Sequence, residues 1–175
     1  MNDLAGALIA AVADLKPGVM LLIGLACYLL ALLVFVQGCL RILRHVDTAG
    51  AGPSLWSAAA SFLIAAGLIW LPGVLAGAGK TFFAGQTPGV ATLGYGGRGE
   101  DFGELLKALF WIVQVIGLLA FVKGLFVLRG ASDGAPGATV SGAAMHLIGG
   151  LMAWHILALI AAVQTTLGIR VLTIS

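Results

Sequence analysis

The chain has 175 residues, 61% of them hydrophobic and only 9% charged, with nine Lys and Arg against seven Asp and Glu. A typical soluble domain carries about 25% charged residues. This composition excludes an ordinary water-soluble helical bundle, because no segment offers a polar stripe wide enough to face water.

The first 16 residues, with the short apolar stretch "LAGALIAAVAD", carry Asp3 but no early basic residue. A secretory leader needs a basic start, so Met1 is expected to stay on the chain. The segment reads as a short helix lying at a membrane interface and stopped by Pro17. Pro is tolerated at the first position of a helix, so Pro17 opens the next one. No charge falls between Pro17 and Leu40, between Thr48 and Gly79, between Ala108 and Val122, or between Gly134 and Ile169. Uncharged apolar runs of about 18 residues or more read as bilayer-spanning helices. Four spans follow, over 17–43, 54–79, 105–128 and 140–167. The third requires Lys123 to snorkel towards an interface.

Two apolar phrases recur. "LIAAGLIW" (63–70) matches "LIGGLMAW" (147–154) at an offset of 84, and "FVQG" (35–38) matches "FVKG" (121–124) at an offset of 86. The linkers "HVDTAGAGPS" (45–54) and "GASDGAPGAT" (130–139) share a turn chemistry of Gly, Pro and Ala with one Asp. Each unit is a helix with a basic end, a small-residue turn and a returning helix. Chance similarity between apolar segments competes with duplication, but the aligned Trp, the Phe-Val-x-Gly and the matched turns favour duplication. The expected fold is an all-α membrane protein of one domain. It has a short N-terminal helix (1–16) and two tandem αα-hairpins (17–79 and 105–167) joined by a polar Gly-rich loop (80–104). Each unit holds an even number of spans, so the repeat is parallel.

Cytoplasmic loops carry an excess of Lys and Arg. Arg41, Arg44 and His45 follow the first span, and Lys123 and Arg129 end the third. These turns are expected on the cytoplasmic side of a bacterial inner membrane, with the termini and the central loop periplasmic; Lys80 and Arg170 argue weakly the other way. The five basic residues are candidates to face lipid headgroups or a polyanionic cargo, each worth roughly 1 kcal/mol near an acidic leaflet. The alternative is that they only set topology. Helices in lipid associate through close packing of small residues, which points to Ala65, Ala66, Gly67, Gly149 and Gly150, within the chain or between copies.

Reactive groups are few. Cys27 and Cys39 lie 12 residues apart on one helix, about 18 Å, beyond the roughly 7 Å limit for a disulfide, and read as packed thiols. His146 and His155 are nine residues apart, on opposite sides of a helix, and cannot share a metal. No span holds an Asp or Glu for a proton relay, and no GxSxG, HExxH or phosphate-loop pattern occurs. "GYGGRGED" (94–101) lacks the spacing of a phosphate loop and reads as an extramembrane loop. An enzyme is not expected, and neither a metal nor a cofactor is called for. Gln37, Gln114, Ser61, His146 and His155 are the polar residues inside the spans.

With "AAMHLIGGLMAWHI" (143–156) in the last span and a Gly-rich polar loop between hydrophobic hairpins, the chain resembles the IcmC/DotE family of type IVB secretion systems and the related TraQ-type conjugation proteins. The resemblance covers most of the chain in topology and rests at residue level on the last span. It implies a non-enzymatic inner-membrane component of a secretion or conjugation apparatus. Its partners would be other membrane subunits, with transferred DNA or protein touched only in passing. Each hairpin also resembles the major subunit of a conjugative pilus, a family that packs with phospholipid in a tube. That likeness implies a homo-oligomer with bound phospholipid, with Arg41, Arg44, His45 and Arg129 facing the lumen or the headgroups and the subunits passing into an extracellular pilus. The chain departs from the pilus pattern in lacking a long cleaved leader and in its polar central loop. A small transporter or channel, or an assembly scaffold, built from the same repeat is the alternative.

Overall fold

The computed structural model describes residues 2–48, 54–82, 93–94, 100–167 and 173–174. They form six helices: α1 (Asn2–Asp47), α2 (Leu55–Ile69), α3 (Leu71–Phe82), α4 (Glu100–Ser132), α5 (Val140–Trp154) and α6 (Ile156–Leu167). The two-residue strands β1 (Leu93–Gly94) and β2 (Thr173–Ile174) pair antiparallel. The described residues are therefore all-helical apart from this ladder, which ties Leu93–Gly94 to Thr173–Ile174. The rest of the expected central loop between Phe82 and Glu100 lies outside the described residues.

Two helices, over Gly6–Asp47 and Leu105–Ser132, are long and apolar enough to cross a membrane. The count rises to four if each of the bent pairs α2–α3 and α5–α6 is one span. Three expectations are corrected here. First, no break separates an N-terminal helix from the first span: α1 runs through Pro17 for 46 residues. Pro17 releases only the carbonyl of Ala13, and a single freed carbonyl bends a helix without ending it. Second, the returning segments are not straight. The α2–α3 pair is bent by 87° and the α5–α6 pair by 81°. Third, helix reaches into both ends of the expected loop 80–104, with α3 continuing to Phe82 and α4 starting at Glu100.

The bends repeat in register. α2 and α5 each have 15 residues, α3 and α6 each have 12, and one residue, Trp70 or His155, separates the members of each pair. The Trp70 N–H donates to Ala66 and the Trp70 carbonyl accepts from Val74; the His155 N–H donates to Leu151 and its carbonyl accepts from Leu159. Each break residue thus closes one helix and opens the next, at an offset of 85 that lies between the two offsets of the sequence repeat. The first break has a local cause, Pro72, which lacks an N–H and restricts Leu71. The second has no Pro; a tertiary contact of His155 accompanies it.

The chain divides into two compact units. One comprises Leu21–Val74 and Ala120–Gly149 and holds the turn between α4 and α5. Its core includes Cys27, Ala31 and Val34 on one face of α1, with Ile64, Ala65 and Leu68 of α2. Gly38 continues the α1 stripe (27, 31, 34, 38). A Cβ there would stand 3.2 Å from the Phe62 ring, and Phe62 meets Phe35 edge-on with ring centres 5.3 Å apart. Gly124 plays the same part on α4, where a Cβ would stand 2.9 Å from the Leu147 backbone nitrogen. The glycine that closes each Phe-Val-x-Gly phrase therefore sits directly against the returning helix. The other unit comprises Met1–Met20, Leu75–Leu119 and Gly150–Ser175. Its core includes Leu75, Trp111, Leu118 and Leu157, and Gly117 of α4 approaches the Gly150 carbonyl and Ala153 of α5.

Candidate functional site

The turn-bearing unit gathers the polar side chains of both hairpins into one cluster. Arg41 lies one helical turn beyond Gln37 on α1. Ser57 and Ser61 lie one turn apart on α2, whose first turn is capped by the Ser54 hydroxyl accepting from the Ser57 N–H. Asp133 follows the last residue of α4 and is placed by a glycine turn. The Ala135 N–H donates to the Gly130 carbonyl at 2.9 Å, the Gly134 N–H donates to Ala131, and Gly134 has φ 68°. That pattern is the Schellman helix stop, which needs a residue that accepts a left-handed backbone. Thr139 then caps α5, its hydroxyl accepting from the Gly142 N–H at 3.1 Å. Ser54 and Thr139 are again 85 apart.

Arg41 grips Asp133 with both arms: Nη1 donates to Oδ1 at 2.5 Å and Nη2 to Oδ2 at 2.6 Å. The same Nη1 donates to the Ser57 hydroxyl oxygen, and the Ser57 hydroxyl donates to Asp133 Oδ1 at 2.8 Å. Ser61 donates to the Ser57 carbonyl. Beside this group Arg129 of α4 donates to the Gln37 side-chain carbonyl. The arrangement is a bidentate, hydrogen-bonded ion pair, stronger than a simple contact of charges. Partial burial pushes the Asp133 carboxyl up. Hydrogen bonds from Arg41 and Ser57 and the charges of Arg41 and Arg129 outweigh that, and hold it below the usual carboxylate range. Chemically, the cluster ties the first hairpin to the second at their turn ends and carries a net positive charge, two guanidiniums against one carboxylate.

The five basic candidates are thus divided. Arg41 and Arg129 are drawn together by Asp133 and Gln37. Arg44 and Lys123 are exposed, and His45 is half-buried and engaged with another group. Of the packing candidates, Ala65 is buried and Gly150 sits at the closest approach of α4 to α5. Ala66 is exposed, and a Cβ on Gly67 or Gly149 would meet nothing within 4 Å. Cys27 is buried and Cys39 half-buried, both as free thiols. The partners Ser57 and Asp133 are what sequence reasoning missed. The Asp shared by the two turns was the available signal, but Asp47 carries it equally.

A second polar contact lies in the other unit. The His155 ring is buried, and its Nε2–H donates to the Leu75 carbonyl at 3.0 Å. Gly79 makes room for it: a Cβ there would stand 2.5 Å from His155 Cε1. His146 instead turns back on its own helix, Nδ1–H donating to the Gly142 carbonyl at 2.8 Å. Among the described residues no three His, Cys, Asp or Glu side chains converge as a metal site would require.

The fold and the cluster define an all-helical protein with two to four candidate membrane spans, whose long apolar helices are compatible with membrane insertion. The chain matches no family model, no curated protein and no solved structure.

Proposed function

We propose that the protein is a non-enzymatic structural subunit of a membrane-embedded assembly of the type IV secretion or conjugation class, built from a duplicated helical hairpin. In this reading the two hairpins supply four crossings of a bacterial inner membrane, two by α1 and α4 and two by the bent returning segments. The two basic turns face the cytoplasm, and the termini and central segment face the periplasm. The observation that carries the reading is the outward face of α1, where Leu21, Leu25, Leu29, Leu32 and Leu43 are all exposed. Such a surface calls for lipid or for neighbouring helices. The resemblance of the last span to the IcmC/DotE family supplies the class. The polar cluster supports a structural role, because Arg41, Asp133 and Ser57 are occupied with one another and Gln37 with Arg129. Within the class, the pilus-like version assigns Arg44 and Lys123, the exposed cations, to phospholipid phosphates, while Arg41 and Arg129 hold the hairpins together. Cryo-electron microscopy of the protein in mild detergent, with mass spectrometry of its lipids, tests the reading. Rings or filaments with stoichiometric phospholipid are expected. A strict monomer across lipid conditions refutes it.

One observation favours a second reading, a small transporter or channel. Discontinuous helices are how many transporters open a polar site within the bilayer, and both returning segments are broken, at Trp70 and His155. Solute flux in proteoliposomes that is lost on Gln114→Ala or His155→Ala would establish this reading and displace the first.

A further inference from the structure

We propose that α3 and α6 lie along the headgroup layer of the bilayer, so that each returning segment crosses the hydrocarbon through a 15-residue helix alone. The inference rests on the membrane reading above. Four observations lead to it. The bends of 87° and 81° turn α3 and α6 almost perpendicular to the helices that precede them. At 12 residues each, α3 and α6 extend about 18 Å, too short for a hydrocarbon core of about 30 Å. Trp70, at the first corner, is 69% exposed, and an exposed indole belongs at the boundary between acyl chains and headgroups.

The fourth observation is the surface of α3 itself. Its buried residues are Leu71, Leu75 and Gly79, one stripe at a spacing of four, while Ala76, Gly77, Lys80 and Thr81 face outwards. That outward face has small residues at its centre, carries a cation and a hydroxyl, and ends in the exposed Phe82 ring, a mixture of apolar and polar groups. Dipping it into hydrocarbon would strand Lys80 at a cost of a few kcal/mol, whereas the headgroup layer offers water and phosphate oxygens. The partner of this surface is the lipid boundary itself.

A consequence follows for the bilayer. α2 and α5, at 15 residues each, extend about 22 Å, some 8 Å less than a typical hydrocarbon core. A span shorter than the local core draws the bilayer thinner around it. The returning side of each hairpin is therefore a point of membrane thinning, while α1 and α4 pass through at full length.

Site-directed spin labelling in phosphatidylethanolamine–phosphatidylglycerol vesicles tests the proposal. Cys27 and Cys39 are replaced by Ala, and single cysteines are placed at outward positions: Leu32→Cys on α1, Ala76→Cys, Gly77→Cys and Thr81→Cys on α3, and Ala162→Cys and Thr166→Cys on α6. Helical circular dichroism equal to the parent's confirms each fold. Oxygen and nickel-chelate collision rates give depth. The expected result is a deep label at Leu32 and one shared shallow depth for all labels on α3 and α6. A helix running along the membrane normal would instead shift depth by about 7 Å between positions 76 and 81. That gradient, or labels on α3 as deep as Leu32, overturns the proposal. A water-exposed label at Leu32 overturns the membrane reading and the proposal with it.

Discussion

Replacing Asp133 by Ala removes the acceptor of three hydrogen bonds at once: two from Arg41 at 2.5 and 2.6 Å and one from Ser57 at 2.8 Å. The ion pair is neither fully wet nor dry, with side chains 19% and 26% exposed. Exposed pairs contribute about 0.2–1 kcal/mol, and breaking a buried one costs about 3–5 kcal/mol. The bidentate geometry and the serine place this pair between the two, and partial exposure holds it to about 1.5–2 kcal/mol. For a chain of this size 1 kcal/mol moves the melting temperature by about 2–4 °C, so Asp133→Ala is expected to lower it by roughly 3–8 °C in detergent micelles. A double-mutant cycle with Arg41→Ala isolates the pair, and its coupling energy should be about 1 kcal/mol. The cycle also guards against a trivial loss of the Schellman turn, since that loss would appear in Asp133→Ala whether or not Arg41 is present. Additive single variants, with coupling under about 0.3 kcal/mol, would refute the claim that this pair ties the hairpins.

Four further outcomes are expected. Because Asp133 is held below the ordinary carboxylate range, its contribution is full above the unfolded value of about 3.9 and is lost as pH falls through the lower folded value. The melting-temperature gap between the parent and Asp133→Asn should therefore stay constant from pH 8 to 5 and close only below about pH 4; a gap that closes near pH 6 would contradict the assignment. Gly124→Leu should destabilise the fold, because the Leu147 backbone already stands 2.9 Å from where a Cβ would be. Gly149→Leu should leave the stability within about 0.5 kcal/mol of the parent's, since open space surrounds it; any lost higher-order species on size-exclusion chromatography would then report contact between copies. Gly79→Ala, which pushes on His155, and His155→Ala, which removes its hydrogen bond to Leu75, should each cost about 1–3 kcal/mol and should not add when combined; full additivity would mean that His155 is not seated on Gly79.

Much of the helical pattern was legible because charge is so sparse. The gaps in charge placed the last returning segment at 140–167, and α5 and α6 together cover that interval. The repeated phrases also held physical meaning: the Phe-Val-x-Gly glycines lie against the returning helices, and the repeated Trp lies at or beside a helix break. The breaks themselves were not read. "LPG" at 71–73 contained the signal for the first, since Pro72 ends the hydrogen-bond ladder behind it. Nothing local announces the second, where His155 is held by a carbonyl 80 residues away. Pro17 misled in the other direction, because a helix supported on both sides absorbs one missing N–H. The cluster shows the same limit. The basic turn residues were visible as a class, but pairing Arg41 with Asp133 rather than Asp47 depends on tertiary geometry that no spacing rule contains.

The ties at the turn ends also set an order of synthesis. Arg41 to Asp133 and Gln37 to Arg129 both join residues 92 apart in the chain, whereas Gly38 meets Phe62 within the first hairpin. During translation the first hairpin closes alone, and its Arg41 has only Ser57 and Ser61 as partners from that hairpin until the second turn emerges. Closing so long a loop adds little entropy beyond closing a short one, so the delay is kinetic. Until Asp133 is made, Arg41 has no carboxylate to grip, so the charge of the first turn is matched only when the second turn is in place.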